Sequence, residues 1–560
     1  MAVFLRAAFS FAQMEPDSIQ KAEKKKWLGM SSGITLSAQF YRTNVNNPRQ
    51  QPFMYSIAGS PALDIKGVSM PFNVIYSNQV FTYQQPFNQF GISPTFKYGT
   101  LYLGNSSVRF SNYTLAGQRF GGVGGDLQFK WLRIGGIYGQ LRRQVAPIGA
   151  LNDPLTFINE AETQAFRRRG YAVKLGFGNR NQFVDFIYFK SFDVIPKDFN
   201  QSDWEVQPVE NAIFGIHSFF RIGKKLAFKN DWAVSAFTRN ALADTLEIEN
   251  EQLRNMARKV LLPTVTTNIR IAGESSLKWI HKLISPSIAY KRVELDYTST
   301  GAYFFLTDIQ QYTAGLQLNL MKHKLTANGS FGRQLDNLQK QRLRTSFRNI
   351  GNLNLNFNPS NKWGMSMVYT NFGIIQSPLP TAITDTNRIN QVNNSFTFIP
   401  RYSIQKTRSH HNFNFVAGYN AMSNLGASIG DAANLTCYNL NLNYHVNLID
   451  LLVNAGATPS YISTRTIAGE FVARGMSVNG GKAFFKNQLS FNYVFGLYAN
   501  SFNGAANGST VTQLLSFNCH VPRWPGISLN MQHINNRTID QTAVPAFKEL
   551  IATVSVSHRF

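Results

Sequence analysis

Apolar and polar residues alternate with period two along most of this chain. Asn352-Leu353-Asn354-Leu355-Asn356-Phe357-Asn358 is one run, and Tyr438-Asn439-Leu440-Asn441-Leu442-Asn443-Tyr444 is another. Leu489, Phe491, Tyr493, Phe495 and Leu497 form a third apolar row. Tyr171, Val173, Leu175 and Phe177 form a fourth, and Tyr312, Ala314, Leu316, Leu318 and Leu320 a fifth. Successive strand residues point to opposite faces, so each run predicts a strand with one apolar and one polar side. Runs of eight or more are long for a soluble sandwich, whose strands typically hold about five or six residues. The polar side also decides against a sandwich. A water-facing surface usually carries Lys and Glu, whereas these rows carry Asn, Ser, Thr and Gly. Lipid on the apolar side and a wet interior on the other satisfy the pattern.

Composition agrees. The 560 residues are 13% aromatic and only 15% charged, against about 25% charged in soluble chains. No Pro/Ser-rich linker divides the chain into domains. No segment offers the roughly 20 consecutive apolar residues of a membrane-spanning helix. A membrane chain of this kind spans as a closed barrel, because lipid leaves an open sheet edge unsatisfied. The expected fold is therefore all-β, a transmembrane antiparallel β-barrel of about 22 strands, within 20–24.

Connections alternate between short and long. Short ones are expected at 178–181, 222–224, 321–324, 359–362, 445–447 and 522–526. Long ones are expected at 142–169, 192–210, 239–275, 374–393 and 536–547. Segment 241–261 has helical spacing with acids first and bases last, which predicts a loop helix. Segment 78–94 is aromatic with two prolines and reads as a periplasmic or lumen insert.

The last residues, Ala552-Thr553-Val554-Ser555-Val556-Ser557-His558-Arg559-Phe560, form one more alternating strand ending in an aromatic. This resembles the C-terminal signal of Gram-negative outer-membrane β-barrel proteins. The resemblance extends over residues 31–560 at the level of architecture. It implies an outer-membrane location, with lipid, lipopolysaccharide and the barrel-assembly machinery as partners. Phe560 is expected at the periplasmic edge, its strand closing on Ile34–Phe40, and its deletion is expected to impair assembly. At the other end, residues 1–12 read as a signal peptide, with Ser10 and Ala12 as small residues before Gln13. Residues 13–30, with Lys21, Lys24, Lys25 and Lys26, read as a basic periplasmic tail, and 31–560 as a single barrel.

Alternation nominates lumen-lining residues: Lys130, Arg133, Lys174, His217 and Arg221, with the amide rows Asn352, Asn354, Asn356 and Asn439, Asn441, Asn443. Basic clusters at loop ends are Arg167, Arg168, Arg169 and Lys340, Arg342, Arg344, Arg348. They fit either an anion-binding rim or contacts to lipopolysaccharide phosphates. The one histidine pair, His410-His411, falls on opposite faces of a strand and does not form a joint metal site. Cys437 shares its face with Asn439, and Cys519 shares its face with Phe517, so two free thiols are expected.

The net charge of +25 is spread over the chain with no helix-turn-helix, zinc or RNP pattern, which sets nucleic acid aside. No Walker loop, CxxC or HExxH pattern supports an enzyme, a metal or a cofactor. A TonB-dependent receptor resembles the chain in barrel size but carries an N-terminal plug not found here. The expected function is a porin-like channel or transporter for small polar or anionic solutes. The alternative is an accessory barrel of a secretion or outer-membrane assembly complex, such as type IX secretion. Fatty-acid transporters are smaller barrels with an N-terminal hatch that has no counterpart here.

Overall fold

The computed structural model describes residues 28–559 apart from 47, 67, 79–88, 146–163, 198, 202–203, 205, 248, 250, 253–254, 256–259, 303–305, 340–346, 377–388, 425–433, 523 and 540–545. The first quarter holds β1 (Leu28–Ser31), β2 (Gly33–Thr43), β3 (Phe53–Gly59), β4 (Ala62–Ile65), β5 (Val68–Ser77), β6 (Gln89–Ile92), β7 (Thr95–Phe96), β8 (Gly99–Arg109), β9 (Ala116–Phe129) and β10 (Leu132–Arg142). Next come β11 (Arg167–Asn179), β12 (Gln182–Val194), β13 (Glu210–Ile222), β14 (Leu226–Thr238), β15 (Thr267–Trp279), β16 (Ile284–Val293), β17 (Ile309–Leu320), β18 (Leu325–Leu335), β19 (Phe347–Phe357) and β20 (Trp363–Gln376). The chain ends with β21 (Ile389–Gln405), β22 (Ser409–Asn424), β23 (Leu435–Leu448), β24 (Val453–Thr466), β25 (Gly469–Phe484), β26 (Leu489–Phe502), β27 (Ala505–Cys519), β28 (Gly526–Arg537) and β29 (Phe547–Arg559).

All pairings are antiparallel, and the last strand pairs with β2 from Gly33–Arg559 to Thr43–Glu549, so the sheet closes on itself. The expected contact of Ile34–Phe40 with the final strand is met residue for residue. Three strands are interrupted. β1 and β2 meet at Ser32, which has φ 70. β3 and β4 are separated by Ser60-Pro61, and β6 and β7 by Ser93-Pro94. Register continues unchanged across each gap. Proline has no N–H for the ladder, which accounts for two of the breaks. The 29 segments therefore make 26 strands, more than the expected 20–24. Part of the difference lies in 78–94, where Gln89–Ile92 is a wall strand and 79–88 lies outside the described residues.

Short turns gather at one rim and long connections at the other, and both described chain ends lie at the short-turn rim. Residues 445–447, expected as a turn, belong to β23, and the turn is Ile449–Leu452. The rhythm also breaks where Ile467-Ala468 and Asn503-Gly504 join strands at the long-loop rim. Asn503 (φ 49) and Gly504 (φ 81) adopt the left-handed pair that a two-residue hairpin favours. Glu251, Gln252, Asn255 and Val260, within the loop before β15, have helical backbone.

The outer surface is apolar. Phe214, Ile269, Ile288 and Phe331 alternate outward and are 51–65% exposed. Left in water, each such side chain forgoes about 1.5–3 kcal/mol of burial, which hydrocarbon restores. Interior packing is uneven. A buried cluster joins Phe110, Tyr113 and Leu115 to Phe189, Ile213, Ala233, Ala272 and Val293, all within the β8–β17 sector.

Candidate functional site

One row of ionisable side chains crosses the inner wall. Cross-strand register runs Arg133–Gly176–Asp185–His217–Asp231–Glu274–Lys291–Gln311–Gln334–Arg348 from β10 to β19. These positions alternate with the lipid-facing residues Phe186, Ile216 and Trp232, so they share the inner face. A carboxylate in such a wall needs partners. Arg133 supplies two bonds to Asp185, Nε to Oδ1 at 2.7 Å and Nη2 to Oδ2 at 2.9 Å. Its guanidinium lies 4.2 Å from the Phe183 ring centroid, and His217 packs edge-on to the same ring at 5.2 Å. One step toward the long-loop rim, Lys174 Nζ meets Asp126 at 2.6 Å and lies 4.8 Å from the Phe110 ring.

The connection 110–115 folds inward over this row. Asn112 donates its backbone N–H to Asp231 at 2.8 Å and its amide to Glu274 at 3.2 Å. Thr114 packs where a Cβ on Gly215 would stand, which is why glycine occupies that inner position. The connection 294–308 locks onto the same segment. Tyr297 Oη donates to Tyr113 O and Ser299 Oγ to Thr114 O, each at 2.6 Å. Ser235 Oγ donates to Thr298 O at 2.6 Å, and Thr300 N–H to Asn211 at 3.0 Å. Burial, reinforced by the charges of Glu274 and Asp231, pushes the Tyr113 phenol up. Burial and Asp231 do the same to Tyr297. Both phenols therefore remain neutral donors.

The expected residues distribute as follows. Arg133, Lys174 and His217 belong to this assembly, and Arg221 lies on the same face near the short-turn rim. Lys130 does not: it sits in the two-residue turn between β9 and β10 with φ 40, because the alternation stops at Phe129. Asn352, Asn354 and Asn356 on β19, and Asn439, Asn441 and Asn443 on β23, share the inner face through continuous register. The arginine triplet splits. Arg168 turns inward and clasps Asp193 at 2.7 and 3.0 Å, while Arg167 and Arg169 lie on the outer face, where Arg167 bonds Gln140 at 3.0 Å. Lys340, Arg342, Arg344 and Phe560 lie outside the described residues, and Arg348 is placed by its backbone opposite Gln334. His411 bonds Ser409 and Tyr444, each at 3.0 Å, and His410 faces the other way. Cys437 and Cys519 are free and on opposite faces. Among the described residues no His/Cys/Asp/Glu group is arranged to hold a metal.

Asp185, Asp231, Glu274 and Lys291 were not among the sequence-derived residues. A signal existed: an acid inside an aromatic strand, as in Phe183-Val184-Asp185-Phe186, requires a partner from elsewhere.

A closed antiparallel barrel with an apolar exterior and a polar interior is the architecture of Gram-negative outer-membrane proteins. No protein-family model matches the chain, and no curated protein matches it either. Solved structures do. The P pilus usher PapC translocation pore is 7% identical with TM-score 0.40, over 95% of this chain and 100% of that one. Pseudomonas aeruginosa OpdK with vanillate is 10% identical with TM-score 0.30, over 63% and 94%. Acinetobacter baumannii OccAB4 is 12% identical with TM-score 0.29, over 68% and 100%.

Proposed function

We propose that the barrel is a porin-like passage for small polar solutes, with a preference for anions. One observation carries this reading: several inner-wall cations are held by neutral oxygens. Lys278 donates to Gln317 at 2.9 Å, Arg270 to the Leu295 carbonyl at 2.9 Å, and Arg401 to Asn358 at 2.7 Å. A hydrogen bond to a neutral acceptor fixes a cation without cancelling its field, so anions concentrate along the wall. The outward Arg167 and Arg169, close to the long-loop rim, suit contacts to lipopolysaccharide phosphates. Assembly by the barrel-assembly machinery fits the alternating sequence Ala552–Phe560 with its final aromatic.

Wall size favours a second reading. With strands about 4.8 Å apart and tilted by about 40°, 26 of them give a circumference of about 160 Å. A bore that wide suits a component of a secretion or assembly complex, type IX secretion included, with a partner filling the lumen. Reversal potentials across planar bilayers separate the two. Steady conductance with anion preference is expected, weakened in Lys278→Gln and further in Lys278→Glu. A purified barrel that never conducts and co-purifies with other envelope proteins supports the accessory reading.

A further inference from the structure

We infer that the wall opposite the charged row, β19–β28, is a binding surface for a neutral, hydroxyl-rich polymer: a glycan chain. The proposal extends the passage reading to a second solute class, and its test does not depend on conductance.

Charge is segregated around the barrel. In β9–β16 acids and bases pair across the inner face. Among the described residues from Ile350 to Asn536, the inner face of β19–β28 carries no carboxylate. Amides, hydroxyls and small residues take their place. The amides bond along their own strands. Asn356 Nδ2 donates to Asn354 at 2.8 Å, and Asn441 Nδ2 to Asn439 at 2.6 Å. Each such bond uses one of the four amide hydrogens of its pair, and the carbonyl oxygens keep further lone pairs. A ladder of this kind presents donors and acceptors together, as a ligand of hydroxyl groups requires.

Apolar side chains are interleaved with the amides. Val368 lies opposite Asn354 and is 37% exposed; Leu514 lies opposite Val494 and is 39% exposed. Exposed aliphatics on a wet inner face fit a ligand that is itself two-sided. A pyranose ring has a hydroxyl edge and C–H faces. An unfolded polypeptide fits less well, because its basic side chains meet no counter-ion on a wall without carboxylates.

The test is saturation-transfer NMR of maltohexaose with the detergent-solubilised full chain. Transfer to ring protons is expected with the wild type. The triple variant Asn439→Ala, Asn441→Ala, Asn443→Ala is expected to weaken binding by about threefold to tenfold, the loss of one or so hydrogen bonds. Lys278→Gln, in the charged sector, leaves it unchanged. Absence of transfer in the wild type overturns the proposal. So does undiminished transfer in a triple variant that still shows heat-modifiable migration, or displacement of the glycan by an equal concentration of a charged unfolded peptide. If the triple variant does not fold, Asn441→Asp alone is read in the same way. A barrel that binds maltohexaose but never conducts fails the passage reading and keeps this one.

Discussion

Asp185 depends on Arg133 more than on any other described residue. Its side chain is 2% exposed, and both of its oxygens are taken by one guanidinium. Removing one member of a buried pair leaves an unpaired charge, which costs about 3–5 kcal/mol. The arginine is partly exposed, so the lower end applies, and Arg133→Ala is expected to cost about 3 kcal/mol. Arg133→Lys keeps the charge but loses the planar fork and the stack on Phe183, and should fall between. Replacing both charges, as Arg133→Met with Asp185→Leu, should restore most of the loss. The readout is the urea midpoint at which the unboiled folded band disappears. An unchanged midpoint in Arg133→Ala means that the pair is ornamental.

At the scale of elements, two inward connections act as one latch, because 110–115 is held by 294–308 as well as by its own turn and by Asp231 and Glu274. Tyr297 ties them through the Tyr113 carbonyl. The buried phenols are pushed above the ordinary value of 10.0. For a phenol so raised, the folded form retains the proton that the unfolded form releases. The associated stability is complete below pH 10 and declines as pH climbs toward the folded value, at about 1.4 kcal/mol per unit for each phenol. Tyr297→Phe should therefore cost about 1 kcal/mol at pH 8 through the lost hydrogen bond. The difference should shift by about 1.4 kcal/mol in the variant's favour at pH 11, which closes the gap and leaves Tyr297→Phe marginally the more stable, since the variant has no phenol to ionise there. Urea midpoints at the two pH values check this, and a constant gap would sink the latch. None of this was legible in the sequence. The Asn/Leu rows were, because a strand's faces follow from residues two apart. Ser299 and Thr114 come together only through the closed sheet, and Gly215 marks the contact with nothing but a missing side chain. The strand count fell short for a related reason: 78–94 reads as an insert, because Ser93-Pro94 interrupts the local pattern while the ladder continues across it.

For the whole molecule, closure is the property on which the rest depends. An even number of strands returns both described ends to the short-turn rim, so β2 and β29 meet in antiparallel register. Leu36 stands opposite Val556. Directly opposed residues of an antiparallel pair have Cα atoms about 4.5–5.5 Å apart, within the range a disulfide spans. Cys437 and Cys519 are free thiols, so both are first changed to Ser. In that background, Leu36→Cys with Val556→Cys should cross-link in the folded barrel under mild oxidation and make a covalent ring of nearly the entire chain. The ring should migrate anomalously when boiled without reductant and normally with it. Leu36→Cys with Val554→Cys, two positions out of register, places the thiols beyond disulfide reach and should stay open. Cross-linking of the second pair in preference to the first shifts the seam by two residues. Failure of both in a heat-modifiable barrel means that the first and last strands do not meet, and the even strand count and shared rim then fall with the closure.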